Sequence, residues 1–263
     1  MKIDVCVKQV PASNETRLDP VTHTILRDGA GSILNPFDAY AVEEALRIRE
    51  RCGGTITAFS MGIPAAKDML RRVLELGVDH AVLLTDRAFA GSDTLATART
   101  LAAAMAADGL PDLILCGRMA TDGDTAQVGP MIAEVLSIPH VSDVAAIEEI
   151  SETAAVIRRL TDHGYVRLRV RFPALLTVLK EINNPRLPSL SGILNAEGAE
   201  ITALDHGALG LDPAGTGLSG SATRVVATER PVQERKAEIL SGSPEEQADA
   251  LVCRLRNAGM IPE

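Results

Sequence analysis

Short apolar runs alternate with amphipathic segments along the first half of the chain, and this order limits the folds that the chain can adopt. The apolar runs, which have the length of buried strands, are 3–7, 55–59, 81–84 and 113–116. The segments with apolar side chains at helical spacing are 38–51, 65–76 and 93–107, and a further helix is expected after Asp124. This order predicts an α/β fold, a mostly parallel, Rossmann-like sheet with helices on both faces.

The pattern changes after residue 141. Two extended runs, 154–159 and 165–178, flank Asp162-His163-Gly164 and predict a β-hairpin appended to the sheet. Residues 1–185 are therefore interpreted as one α/β domain.

The remaining chain divides into two parts. Residues 186–242 contain Pro, Ser and Gly with little periodicity and are interpreted as a loop followed by an extended linker. Residues 243–263 begin with the capping box Ser243-Pro244-Glu245-Glu246 and predict an amphipathic helix, which forms a C-terminal arm.

Composition argues against several classes of function. The formal net charge of −9 and an aromatic content of 2%, with no Trp, argue against nucleic acid as a partner. The four Cys stand far apart and the five His share no ligand spacing, so reduced thiols and no metal site are expected. No apolar run is long enough to span a membrane and no signal peptide is evident, so a cytoplasmic protein is expected.

The segment 117–130 carries the strongest functional pattern. It contains three glycines and connects the apolar run at 113–116 to a helix. In open α/β sheets such loops bind nucleotides, because free backbone N–H groups at a helix start suit a pyrophosphate. No Lys-Ser or Lys-Thr follows the glycines, so the segment is not a P-loop. A G-x-G-x-x-G match at 215–220 lacks the required strand and helix, and a flexible linker is the favoured interpretation there.

Four loops with glycine or polar residues follow predicted strands or precede the first helix. They are 35–38, 60–62, 91–97 and 117–130. Because the carboxyl ends of parallel strands meet at one edge of a sheet, we expect these loops to line one crevice. The alternative is ordinary helix capping by Asp38, Asp93 and Asp124. The sequence shows no catalytic His constellation and no nucleophile elbow, so the pattern favours a binding site without catalytic residues.

Several of these segments resemble the β subunit of electron transfer flavoproteins. The matching segments are 7–10, 35–45, 120–130, 173–177 and 183–196. The resemblance implies an adenine nucleotide alpha hydrolase-like fold and a heterodimer with a larger α subunit, which holds most of one FAD. It also implies that this chain holds a second adenine nucleotide. That nucleotide is structural AMP in the simple carriers and a second FAD, reduced by NADH, in the electron-bifurcating type.

Three further segments, 18–22, 25–29 and 85–97, resemble the electron-bifurcating type. On this ground FAD is expected rather than AMP, with Gly91 leaving room for the isoalloxazine ring. The residues assigned to the nucleotide are Cys6, Asn35, Pro36, Phe37, Asp38, Met61, Ser92, Asp93, Thr94, Thr97, Met119, Ala120, Thr121, Asp122, Gly123, Asp124, Thr125, Ala126, Gln127, Val128, Gly129 and Pro130.

The resemblance also suggests protein partners. Residues 187–196 resemble the family's recognition loop, in which a leucine enters a pocket of an acyl-CoA dehydrogenase-type or other flavin dehydrogenase, and Leu190 stands at the matching place. The helix at 243–263 is expected to clasp the α subunit, because the segment before it offers little core.

Two other classes of protein stay open. A stand-alone nucleotide-binding α/β module, like the universal stress proteins, would have no use for the chain beyond Pro185. A dehydrogenase with its own substrate domain would need a correctly placed G-x-G-x-x-G and a catalytic His or Lys constellation, and the sequence shows neither.

Overall fold

A nine-stranded mixed sheet organises the chain in a computed structural model, which describes residues 1–12, 17–18, 25–26, 31–227 and 237–262. The strands are β1 (Lys2–Cys6), β2 (Gln9–Pro11), β3 (Arg17–Leu18), β4 (Ile25–Leu26), β5 (Ser32–Leu34), β6 (Thr55–Met61), β7 (His80–Leu84), β8 (Leu113–Gly117), β9 (His140–Ile150), β10 (Ala154–Thr161), β11 (Gly164–Arg171), β12 (Ala174–Val178) and β13 (Ile201–Leu204). The α-helices are α1 (Pro36–Cys52), α2 (Ala66–Glu75), α3 (Thr94–Ala107), α4 (Val128–Val135), α5 (Leu190–Glu197) and α6 (Pro244–Asn257). The chain divides into two compact units, 1–226 and 227–263.

The sheet has the order β11-β10-β9-β12-β8-β1-β6-β7-β13, and its strands from β9 to β13 in that order pair in parallel. Side chains of β1 alternate between two apolar cores, as strand geometry requires. Ile3 and Val5 pack with α1 and α2 on one face, whereas Cys6 packs with α3 and α4 on the other. The prediction of a mostly parallel sheet with helices on both faces is confirmed.

The predicted hairpin is also present. Strands β10 and β11 pair antiparallel from Ala154–Arg171 to Thr161–Gly164, and β9 pairs antiparallel with β10. The extended run at 165–178 is two strands rather than one. Its second part, β12, leaves the hairpin and lies between β9 and β8 in the parallel core, where all five of its residues are buried.

Residues 186–242, expected to be loop and linker, contain further regular structure. Helix α5 packs on α2, and Gly192 makes this possible because a Cβ there would clash with the Glu75 carbonyl oxygen. Strand β13 pairs in parallel with β7 and completes one edge of the sheet. Both elements are short, and most side chains of α5 stay exposed, so hydrophobic periodicity gives little sign of them.

The glycine-rich segment at 215–220 packs against the loop after β7. The Leu218 amide donates to the Ala90 carbonyl oxygen at 3.0 Å, and the Asp93 amide donates to Ser221 Oγ at 2.8 Å. Gly217 has φ of 57° and lies against the Ala88 carbonyl group. This segment therefore belongs to the first compact unit, and the flexible-linker interpretation of it is wrong.

The second unit contains α6, whose N-terminus has the predicted capping box between Ser243 and Glu246. None of the α6 residues is buried. Arg254 pairs with Glu238 of the same unit. In the part of the chain that the structure describes, no helix is both long enough and apolar enough to cross a membrane.

Candidate functional site

Lys8, just beyond the end of β1, joins two of the four predicted loops. Its ammonium group lies 2.6 Å from Asp122 Oδ1, in the loop after β8. Its backbone N–H donates to Asp38 Oδ2 at 2.8 Å, in the first turn of α1. The loops at 35–38 and 117–130 therefore meet at the carboxyl edge of the sheet, as predicted.

Asn35 ties the same two loops together from within the protein. It is fully buried, its Nδ2 donates to the Met119 carbonyl oxygen at 2.9 Å, and its Oδ1 accepts from the Thr121 amide at 3.2 Å. Asn35 immediately precedes α1, but its side chain makes no capping bond to the helix. Its amide group instead fixes the backbone of residues 119–121, which lie within the candidate nucleotide loop.

Asp38 is a buried carboxylate beneath this loop. Burial raises the pKa of Asp38 to about 7, and hydrogen bonds from the Asn35 side chain and from the Lys8 and Gly117 amides oppose that rise. Gly117 is required here, because a Cβ would collide with Asp38 Oδ1 and with the backbone of residues 37 and 38. The Asp38 carboxyl group therefore accepts hydrogen bonds from the amides of Lys8 and Gly117, and it does not cap α1.

In the exposed part of the loop, residues 123–127, the backbone adopts the left-handed φ/ψ conformation at two residues. Asp124 and Ala126 both have φ of 53°, and α4 begins only at Val128. Asp124 is thus not the N-cap of α4; Gln127 occupies that position and makes no side-chain capping bond. The amides of residues 125–128 donate no hydrogen bond to any residue that the structure describes. Free N–H groups beside a helix N-terminus form a surface that attracts anions.

One hydrogen bond among the described residues connects this surface to Thr94, the first residue of α3 after the loop that follows β7. Thr94 Oγ1 lies 3.0 Å from Gln127 Oε1. Asp93 is the N-cap of α3, with its Oδ1 accepting from the Ala96 amide at 2.9 Å, and its Oδ2 accepts from the Thr223 amide at 2.8 Å. The capping alternative is therefore correct for Asp93, and not for Asp38 or Asp124.

The remaining candidates of this loop have local roles in the structure. Ser92 Oγ donates to the Phe89 carbonyl oxygen at 2.8 Å, and Thr97 is half-buried in the first turn of α3. The space beside Gly91, expected to give room to a flavin ring, is bounded by Leu218, whose Cβ would lie 3.1 Å from a Cβ on Gly91.

Cys6 and Met61 mark the ends of two parallel strands below the loops. Cys6 is paired in register with Cys116 across β1 and β8. Two effects contribute most to the raised pKa of Cys6: the larger is the hydrogen bond with the Cys116 thiol, and the second is the burial of the Cys6 thiol. Met61 ends β6 and is half-buried. Pro36 and Phe37 form the first residues of α1, beside Asn35.

Two cations at the site are absent from the sequence-based list. Lys8 contacts Asp122, and the Arg118 guanidinium lies 3.1 Å from Asp143 Oδ1 on β9. Arg118 directly follows β8, and Lys8 lies two residues beyond β1; the carboxyl ends of these strands meet at the predicted edge, and that position was the available signal. Among the described residues, no group of three or more His, Cys, Asp and Glu side chains is arranged to hold a metal.

The fold and the site define an α/β protein with an exposed loop, placed just before a helix, at the carboxyl edge of a parallel sheet. Residues 22–209 match the model of the electron transfer flavoprotein domain. The chain is 48% identical, over 99% of its length and the whole of the relative, to "Electron transfer flavoprotein subunit beta" of Thermoanaerobacterium thermosaccharolyticum. It is 44% identical over 99% of its length to "Caffeyl-CoA reductase-Etf complex subunit CarD" of Acetobacterium woodii, again over that protein's full length. It is 39% identical over 99% of its length to "Acryloyl-CoA reductase electron transfer subunit gamma" of Anaerotignum propionicum, also over the full relative. The chain belongs to the electron transfer flavoprotein β-subunit family.

Proposed function

We propose that the loop at 117–130 binds the pyrophosphate of an adenine nucleotide, with the amides of residues 125–128 as donors. The supporting observation is that these four N–H groups donate to no described residue and lie beside the start of α4. Lys8 and Arg118 lie near the loop, but each pairs with a carboxylate, Asp122 and Asp143, so the backbone N–H groups are the principal donors. Asn35 holds residues 119–121 in place, so the donors are organised before a ligand arrives.

FAD is the proposed nucleotide; when bound, it would supply the electron-accepting group for NADH and for exchange with a second FAD in the α subunit. A bound flavin supplies the redox chemistry; the residues of this chain position it. Three observations support FAD over AMP. Residues 85–97 resemble the bifurcating type, and Thr94 of that segment contacts Gln127 of the loop at 117–130. The names of two relatives also place them with caffeyl-CoA reductase and acryloyl-CoA reductase.

The cofactor content of the heterodimer tests this proposal. The chain is coexpressed with its α subunit, the complex is denatured, and the released nucleotides are separated by chromatography and quantified. Two FAD per heterodimer are expected. One FAD and one AMP would identify the second candidate function, a simple carrier with structural AMP. Failure to form a stable complex, with a nucleotide still bound to the isolated chain, would favour a stand-alone nucleotide-binding module.

The second unit, residues 227–263, is proposed to clasp the α subunit. An amphipathic helix with no buried residue has apolar side chains available for a partner, among them Leu251 and Val252. Deleting 227–263 should weaken the heterodimer by about tenfold or more, because this apolar contact is lost. The first unit should keep its melting temperature. Unchanged affinity in the truncated protein, measured by titration of the α subunit, would contradict this role.

Leu190 is proposed as the anchor for a flavin dehydrogenase of the acyl-CoA dehydrogenase type. Its side chain is 75% exposed at the start of α5, beside Leu187 (88%) and Leu194 (61%). The helix carrying it is fixed by the Ser189 cap, so the exposed leucines occupy a defined position. Exposed apolar clusters of this kind mark protein-binding surfaces.

Leu190→Ala should slow electron transfer to the dehydrogenase by about tenfold, because the contact that enters the partner is removed. Flavin content and melting temperature should stay unchanged, since the side chain is exposed. Leu110→Ala is the matched control, because Leu110 is also exposed and lies outside this cluster. Equal transfer rates in the two variants would remove Leu190 from the partner surface.

A further inference from the structure

A histidine in the turn after β13 holds the start of the loop after β7. His206 Nδ1 lies 2.5 Å from Asp86 Oδ2, and the His206 amide donates to the same oxygen at 3.2 Å. Asp86 Oδ1 accepts from the Ala88 amide at 2.9 Å, and Asp86 is thereby the N-cap of the short 3₁₀ helix Arg87–Phe89. The first residues of the loop after β7 are therefore fixed to the neighbouring edge strand.

Two further contacts lie along the same loop, residues 86–93. The Leu218 amide donates to the Ala90 carbonyl oxygen at 3.0 Å. The Asp93 carboxylate is divided between two roles, because its Oδ1 caps α3 and its Oδ2 accepts from the Thr223 amide at 2.8 Å and from the Thr223 hydroxyl at 3.0 Å. The loop is thus held at its start, its middle and its end by the part of the chain that follows β13.

The segment that holds the loop, residues 205–223, is itself anchored to the first compact unit. Leu209 and Leu211 pack against the apolar core that contains α3 and α4. The Leu211 amide donates to the His206 carbonyl oxygen at 2.9 Å and closes the turn that carries the imidazole. Thr216 is buried. Because the segment is fixed, it can order the loop before a ligand arrives.

Thr94 connects the position of this loop to the candidate nucleotide site. It directly follows Asp93, and its Oγ1 donates to Gln127 Oε1 at 3.0 Å. Gln127 precedes α4 and belongs to the loop at 117–130, whose amides are the proposed pyrophosphate donors. A displacement of loop 86–93 would therefore move Thr94 relative to those amides.

We propose that His206 is a positioning residue for FAD: through Asp86 it holds loop 86–93, and thereby Thr94, in place for the part of FAD that extends beyond the adenine and its first phosphate. This inference rests on the proposed function. AMP has the adenine, the ribose and one phosphate in common with FAD and lacks the rest. The contact between His206 and Asp86 should therefore matter for the binding of FAD and little for the binding of AMP.

The charge of His206 makes this contact depend on pH. The hydrogen bond with Asp86 raises the pKa of His206 above its ordinary value of 6.5, burial opposes the rise, and the carboxylate charges of Asp86 and Asp205 add to it. Hydrogen bonds from the Ala88 amide and then from His206 lower the pKa of Asp86 to about 2. The ion pair is therefore complete from about pH 4 to about pH 6 and is lost as pH rises through the raised pKa of His206.

Nucleotide affinities of the full-length chain test the proposal. His206→Gln and Asp86→Asn each remove one charge of the pair, and calorimetric titration of nucleotide-free protein gives the Kd for FAD and for AMP. Near pH 6, both variants should bind FAD about tenfold more weakly than wild type and AMP within about twofold of wild type. His163→Gln is the matched control, because it removes an exposed imidazole in the turn between β10 and β11, and it should bind both nucleotides as wild type does.

A pH profile separates positioning from a general loss of structure. Between about pH 6 and about pH 8.5, wild type should lose FAD affinity by about threefold or more, whereas His206→Lys should keep it, because lysine stays charged. Asp4 and Asp38, each with a pKa of about 7, titrate in the same interval, but both are present in the two proteins compared. Amide hydrogen exchange in loop 86–93 should be about tenfold faster in His206→Gln, with the exchange of the β1 amides unchanged.

Three results would overturn the inference alone. The first is an FAD affinity in His206→Gln equal to that of wild type, with or without faster exchange in the loop. The second is an equal loss of FAD and AMP affinity, because His206 would then act on the whole site or on the fold. The third is the same pH profile in wild type and His206→Lys. A wild-type chain that binds AMP and not FAD would instead contradict the proposed function, and with it this inference. Melting temperatures establish that the variants are folded, and Asp86→Asn replaces a His206→Gln protein that does not fold.

Discussion

Replacing Gly123 by glutamate is expected to weaken nucleotide binding about a hundredfold, or about 3 kcal/mol, without disturbing the fold. Gly123 is exposed, and nothing lies within 4 Å of the position that its Cβ would take. The new carboxylate would lie in the same loop as the amides of residues 125–128, which donate to no described residue, and would repel a pyrophosphate. The measurement is the Kd for FAD and for AMP on cofactor-free protein, together with the nucleotide content of the purified complex.

Two further variants separate charge from bulk and from general effects. Gly123→Gln has nearly the same size without the charge and should bind with intermediate affinity. Gly198→Glu adds the same side chain at a glycine that is equally open, at the C-terminal end of α5, and should bind normally. Wild-type Kd and nucleotide content in Gly123→Glu would exclude 117–130 from the nucleotide site.

The sequence predicts the parallel half of the fold well, because apolar runs and glycines mark both ends of its elements. Gly77, with φ of 107°, follows α2, and Gly109, with φ of 89°, follows α3. Strand order is not encoded in such local patterns. Nothing in the run at 165–178 shows that its second part leaves the hairpin and inserts between β9 and β8.

The site is predicted at the level of loops, and less well at the level of side-chain roles. Parallel-strand geometry brings 35–38 and 117–130 together. Strand geometry does not show that Asn35 is buried and hydrogen-bonded to the neighbouring loop, because an Asn immediately before a helix is ordinarily interpreted as an N-cap. Likewise, helical periodicity does not predict the left-handed conformations of Asp124 and Ala126. Because of these conformations, α4 begins only at Val128.

Asp4 gives the second large expected effect. It is fully buried on β1 between β6 and β8, and neither carboxylate oxygen has a hydrogen-bond partner within the described ranges. Burial raises the pKa of Asp4 to about 7; the Lys2 ammonium lowers it and the Asp108 carboxylate raises it. A buried carboxyl group without partners is most stable in its neutral form.

The sign of the resulting pH dependence follows from this raised pKa. The unfolded chain releases the Asp4 proton near pH 3.8, whereas the folded protein releases it near pH 7. Asp4 therefore lowers the free energy of unfolding progressively as pH rises from about 4 to about 7, by about 4 kcal/mol in total. Asp38 shifts in the same direction but is present in both proteins compared below, so its contribution cancels.

Asp4→Asn should therefore gain stability relative to wild type as pH rises, because the asparagine keeps the shape of the side chain and removes the titration. Urea unfolding at intervals from pH 4 to pH 8 measures the difference in free energy of unfolding, which should grow by about 4 kcal/mol across this range. Asp68→Asn, at an exposed position of α2, should show no such trend. A difference between Asp4→Asn and wild type that stays constant with pH would mean that Asp4 titrates alike in the folded and unfolded states. Strand β1 would then hold the Asp4 carboxylate without an electrostatic cost, contrary to the burial of Asp4 and to its lack of hydrogen-bond partners among the described residues.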